Sequence, residues 1–133
     1  MQFEINNKTW TIIEIEKEWL VNKYNEEHEE KTTFVFGLCE YPTQTIFINK
    51  DMHEDQKRST LKHELMHCWL WCNGIVQFEL SEEDVCNLVS ASNHFINEAV
   101  KIYEEAKEEE KIKESEALKA TEIINELTLT KTY

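Results

Sequence analysis

Apolar and polar positions change rhythm along this chain, and each change marks a new element. Residues 2–15, "QFEINNKTWTIIEI", carry β-branched and aromatic residues on both sides of "NNK", which predicts two short strands around a turn. The next stretch, "EKEWLVNKYNEEHEE", is polar except for Trp19, Leu20 and Tyr24 on one helical side, so it predicts an amphipathic helix ending in solvent. "TFVFGLC" and "TIFINK", separated by "EYPTQ", read as a hairpin. From about Asp51 to Gly74 the period becomes helical, with Asp51 and Glu54 as a capping pair and Asn73-Gly74 as the stop. Ser81-Glu82-Glu83-Asp84 opens a further helix, its hydroxyl and acids placed where a helix dipole favours them.

Beyond that helix, "KEEEKIKESE" is nearly all charge and reads as a solvated helix extension or a flexible link. Periodicity returns in "ALKATEIINEL", where Ala117, Ala120, Ile124 and Leu127 form one apolar stripe that must pack on the domain or on another chain. The expected organisation is a domain over residues 1–100 followed by a charged helical extension over 101–133. The expected fold class is α+β, a small antiparallel or mixed sheet packed on helices.

Composition narrows the functions open to such a chain. At 133 residues and 41% apolar it can bury a core, and two glycines with one proline favour helices over a turn-rich β-sandwich. A net charge of −13 argues against direct binding to nucleic acid, which rests on Lys and Arg neutralising phosphates, and against anionic membranes for the same reason. No apolar run is long enough to span a bilayer, and "MQFEINNKTW" lacks the regions of a signal peptide, so a cytoplasmic location is expected. The four cysteines, Cys39, Cys68, Cys72 and Cys86, make no C-x-x-C pair and read as reduced, with Cys68 and Cys72 placed for the core or, less simply, for a metal on one helical face.

The candidate chemistry lies in "STLKHELMHCWLWCNG", residues 59–74. His63 and His67, four apart, project from one helical face about 6 Å apart along the axis, so their imidazoles can converge on one Zn²⁺. Glu64, turned by roughly 100° from His63, cannot join them but can take a proton from a water beside the ion. Leu61, Leu65, Cys68 and Cys72 cluster on the far side with Trp69 and Met66 on the flank, which predicts a central helix buried on nearly every side. Burying two histidines and a glutamate there without partners would be costly, and a metal satisfies all three.

A catalytic zinc needs a third protein ligand, and Glu79, Glu82, Glu83, Asp84 and His94 follow the helix stop. A short loop after Gly74 would return the next helix antiparallel. On it Glu83 shares a face with Asn87, Ser90 and His94, whereas Val85, Leu88, Val89 and Ile96 point into apolar packing. Glu83 is therefore the expected ligand and Glu82 the reserve; His94, roughly 16 Å further along, cannot bind the same ion as Glu83.

Taken together, "TIFINK", "TLKHELMHCWLWCNG" and "SEEDVCNLVS" resemble the small ImmA/IrrE-like zinc metallopeptidases of phages, prophages and Gram-positive bacteria. Members of that family carry H-E-x-x-H on a helix that follows a strand, and a later helix supplies a glutamate within E-x-x-[small]-N-x-apolar-[small]. Here that stretch reads Glu83, Cys86, Asn87, Val89 and Ser90, and the resemblance covers roughly residues 33–96. An "LLMP"-like tail and a DNA-binding domain, present in longer relatives, are not found in this sequence.

The resemblance implies a minimal zincin-like unit, a small sheet over the active-site helix, that hydrolyses a peptide bond in a protein substrate such as a repressor or regulator. Zn²⁺ would be held by His63, His67 and Glu83, with Glu64 as the base. Tyr41 or His94 would steady the oxyanion, and the edge of "TIFIN" or "TFVFG" would pair with the substrate. Two other readings stand beside it. One is a zinc-stabilised, non-catalytic acidic protein that occupies a host protein through its acidic surface or its C-terminal stripe; that stripe could also serve self-association. The other is a helical interaction protein without metal.

Overall fold

The computed structural model describes residues 1–75 and 79–131, with side chains through Leu129. Four strands and three helices follow one another as β1 (Gln2–Ile5), β2 (Lys8–Ile15), α1 (Lys17–Glu27), β3 (Gly37–Glu40), β4 (Thr45–Asn49), α2 (Glu54–Cys72) and α3 (Glu82–Lys131). The fold class is α+β, a minimal zincin-like arrangement with a small mixed sheet, as expected. The chain divides into two compact units, Met1–Ile102 and Tyr103–Tyr133.

The sheet runs β1-β2-β4-β3, antiparallel at both outer pairs and parallel between β2 and β4. β1 and β2 meet at Asn6-Asn7, both with positive φ, the conformation a two-residue hairpin turn needs and asparagine tolerates. β4 lies in the middle and is buried at all five positions. Its pleat splits it between two layers. Ile46 and Ile48, both fully buried, share the core with Leu61 and Leu65 of α2. Phe47 instead packs with Leu20 of α1 and Val35. The predicted strand over "TFVFGLC" begins only at Gly37. Residues 32–36 form a loop, although the Phe36 carbonyl still accepts from the Asn49 amide at 2.9 Å.

α2 starts later than expected. Its cap is His53, whose Nδ1 accepts from the Asp55 amide at 3.2 Å. Asp51 serves a different helix: its carboxylate accepts from the Lys17 amide at 3.2 Å, in the first turn of α1, where Glu16 makes no side-chain cap. Asp51→Ala is expected to cost about 1 kcal/mol, read as a lowered Tm, and the loss should fall on α1. The end of α2 matches the sequence. Gly74 has φ +72°, its amide reaches the Trp71 carbonyl at 3.1 Å, and the Ile75 amide reaches Leu70 at 2.9 Å, which together make a Schellman stop.

The expectation that α2 is buried on nearly every side is corrected. It buries one stripe, Lys57, Thr60, Leu61, Glu64, Leu65 and Cys68, against β3 and β4. Met66, Trp69 and Trp71 are only half-buried, and His63 and His67 are exposed. Lys57 survives in that stripe because its ammonium meets Glu14 of β2 at 2.6 Å and Glu54 at 3.3 Å. Burial alone would lower the Lys57 ammonium, but the two carboxylates outweigh it and hold it above its usual range. Cys68 is fully buried, in keeping with its core reading.

In α3, Ser81 and Asp84 exchange hydrogen bonds at 3.1 and 3.0 Å, a reciprocal cap of the kind the sequence predicts. The first turns are exposed, including Val85 (44%) and Val89 (58%), which were expected in apolar packing. Further along, Phe95 meets Phe3 of β1 with ring centroids 5.8 Å apart, and Ala99 and Val100 are buried. In the second unit the charged stretch around residues 107–116 is helical, so it is an extension and not a link. Ala117, Ala120, Ile124 and Leu127 all lie on its exposed surface. Among the described residues, no helix is long and apolar enough to cross a membrane.

Candidate active site

α2 carries the two kinds of side chain on adjoining faces. His63 and His67, one turn apart, present their rings at the solvent edge, with Nε2 atoms 3.2 Å apart. Two ligands at about 2.0–2.1 Å from a tetrahedral ion stand about 3.3 Å apart, so the pair fits two corners of a zinc site. Burial first, and the neighbouring His63 second, lower the His67 pKa, which favours the neutral imidazole that binds metal.

Glu64 belongs to the buried stripe. It is 7% exposed, and burial pushes its carboxyl up to about 7. With His63 it lines a cleft of about 410 Å³ between α2 and the loop before β3. The helix wall is Gln56, Ser59, Thr60, His63 and Glu64; the opposite wall runs from Thr32 to Gly37, with Tyr24 behind it. Gly37 lets the two walls approach. A Cβ there would lie 2.7 Å from Thr60 Cγ2, 2.9 Å from the Phe47 carbonyl oxygen and 3.2 Å from Glu64 Cγ.

The loop wall is tied down from both sides. The Asn25 side chain accepts from the Thr32 amide at 2.9 Å and donates to the Thr32 carbonyl at 3.0 Å. Asn49, fully buried, donates to the Val35 carbonyl at 3.0 Å and accepts from the Asp51 amide at 2.9 Å.

The other candidates stand apart. Glu82, Glu83 and His94 are exposed on α3, and Glu79 is exposed before it. Among the described residues no third His, Cys, Asp or Glu joins the pair in a cluster able to hold a metal ion. The loop expected to bring α3 back includes residues 76–78, which lie outside the described residues. Tyr41 is not in the cleft lining; it stacks on Trp71 with centroids 5.3 Å apart at 15°. "TIFIN" cannot offer a free edge, since β4 is paired on both sides, whereas β3 lies at an outer edge of the sheet. Cys39, on β3, has its thiol pushed up to about 12, by burial first and then by the charges of Glu64 and Cys72, so it stays protonated.

Sequence reasoning missed the cleft walls. Helical spacing already puts Thr60 beside His63, and the same spacing could have added Ser59. Phe34, Phe36 and Gly37 could not, because only the tertiary fold brings that loop to α2.

Neither the curated proteins nor the solved structures contain a match to this chain. The family model for the IrrE N-terminal-like domain, Peptidase_M78, matches residues 12–112, a span that takes in the second half of β2, β3, β4, both histidines, Glu64 and Glu83. The resemblance drawn from the motifs thus holds, and the chain belongs to the Peptidase_M78 family of IrrE N-terminal-like, metallopeptidase-like proteins.

Proposed function

We propose that the chain is a zinc-dependent peptidase that hydrolyses a bond in a protein substrate, with a repressor or regulator as the class the resemblance implies. The observation that carries this reading is the pairing of the histidine nitrogens 3.2 Å apart with a buried Glu64 at the end of the same cleft. His63 and His67 would hold the ion, and Glu83 of α3, with Glu82 in reserve, would have to approach them to complete the protein ligands, since it stands apart from the pair among the described residues. Zinc, when bound, supplies a Lewis acid for the scissile carbonyl and brings the pKa of a water down to about 7. Glu64 accepts a proton from the attacking water on a carboxylate oxygen and returns it to the leaving amine, so the carboxylate is regenerated in each turnover. In the metal-free chain burial raises the Glu64 carboxyl, and a zinc ion beside it would favour the ionised form that accepts a proton. The outer edge of β3 holds the substrate as an added strand.

Metal analysis and digestion test the reading together. Protein purified without added zinc should carry about one zinc per chain, and His63→Ala and His67→Ala should each lose it. A chelator should abolish cleavage of unfolded protein substrates, and zinc should restore it. Wild-type protein without metal, or a zinc-loaded protein that cuts nothing, would sink the proposal.

The second reading, a zinc-stabilised acidic protein that occupies a host partner, is favoured by the net charge of −13 and by the exposed acids of α3. It predicts that Glu64→Gln leaves the biological activity intact.

A further inference from the structure

We propose that the cleft beside His63 and Glu64 is a preformed subsite for one large apolar side chain of the substrate, next to the bond being cut. The proposal rests on the peptidase reading and names what that site selects. Phe34 and Phe36 are 39% and 51% exposed and meet edge to face with centroids 4.8 Å apart. Val35 between them is buried with Leu20 and Phe47, so the backbone is pinned to the core while the flanking rings stay partly exposed, Phe34 with the Lys17 ammonium 5.6 Å from its ring centroid. Large aromatic surface left in water is unfavourable, and an apolar occupant would cover it.

The opposite wall, Ser59 and Thr60, is small and uncharged. A volume of about 410 Å³ accommodates an aromatic or long aliphatic side chain with its adjoining backbone.

Charge decides against the other residue classes. Among the described lining residues only His63, Glu64 and the Tyr24 phenol can ionise. An acidic side chain would be stripped of water and set against the Glu64 carboxylate. A basic one would find a counter-ion only in Glu64, and would thereby occupy the proton acceptor. The Asn25 and Asn49 clamps hold the loop in place before a substrate arrives, so little ordering cost falls on binding.

Two measurements on the full chain test this separately from hydrolysis. The first titrates isotope-labelled protein with the N-acetyl amides of phenylalanine, leucine, alanine and aspartate, followed by NMR. The phenylalanine and leucine compounds should perturb amides within 34–37 and 59–64 and bind at least about tenfold more tightly than the other two. Phe36→Ser, at an exposed position, should remove that preference. Equal binding of all four, or no response in those segments, overturns the proposal. The second digests a peptide mixture with zinc-loaded protein and reads the cut bonds by mass spectrometry. One fixed position beside the cut should be enriched in Phe, Leu, Met or Tyr, and the enrichment should vanish in Phe36→Ser. Cutting without that enrichment overturns the subsite and leaves the peptidase intact. Selective binding with no cutting overturns the peptidase and leaves an apolar binding cleft.

Discussion

Glu64→Gln is expected to reduce peptide hydrolysis by about 10²–10⁴-fold, the range lost when a positioned base is removed. Zinc content and Tm should change little, because the amide is nearly the same size as the carboxyl and His63 and His67 are untouched. The effect on stability has a sign that can be worked out. Burial raises the Glu64 pKa to about 7, so the metal-free folded chain favours the protonated carboxyl over the ionised one. The folded state is therefore penalised as pH rises from the unfolded value through about 7. The glutamine variant lacks that penalty and should be at least as stable as the wild type at pH 8. A variant that keeps its zinc and its rate would remove Glu64 from the mechanism.

Gly37→Ala should destabilise the fold markedly, because the added methyl has no room. The new Cβ meets Thr60 Cγ2 at 2.7 Å, and the flexible end of a side chain could yield. It also meets the Phe47 carbonyl oxygen at 2.9 Å, which belongs to the central strand and cannot move without distorting the sheet. Overpacking of this kind costs about 1–3 kcal/mol, and each kcal/mol lowers Tm by roughly 4–8 °C in a domain of this size. Thr60→Ser, by removing the methyl, should recover part of the loss and not all of it. Hydrolysis should fall further than stability alone explains, since the same Cβ lies 3.2 Å from Glu64 Cγ and displaces the base. An alanine variant with unchanged Tm would show that β3 can move away from α2 at no cost.

Local signals in the sequence translated into structure where the chain itself imposes the geometry. "NNK" placed the first turn, Asn73-Gly74 the end of α2, and Ser81 with Asp84 the start of α3. The parallel pairing of β2 with β4 left no local trace, because it joins residues more than thirty positions apart and depends on the crossover through α1. "TFVFG" looked like a strand because it is rich in β-branched and aromatic residues, yet Phe34 and Phe36 precede β3 and line the cleft. Apolar content overstated the burial of α2. Met66, Trp69 and Trp71 stay half-buried at the margin of the packed stripe, a position that large amphipathic rings fill well. At the candidate site, the spacing put His63 and His67 on one helical face with Glu64 beside it, since i, i+4 geometry is a property of the helix alone. The facing wall depended on Asn49 and Gly37, whose roles exist only once the sheet has formed.

The packed stripe of α2 fixes more than the position of that helix. His63 and Glu64 are separated mainly by azimuth around one axis, and a roll of a single residue step would exchange the inward acid for an outward imidazole. What sets the roll lies on the packed side of the helix: the Lys57–Glu14 ion pair at 2.6 Å near one end, Leu61 and Leu65 in the middle, and the buried Cys68 beyond them. The core beneath α2 thus acts as the key that orients the reaction centre. Truncating a side chain there, as in Leu65→Ala, should disturb the alignment of Glu64 before it disturbs the outward pair of histidines.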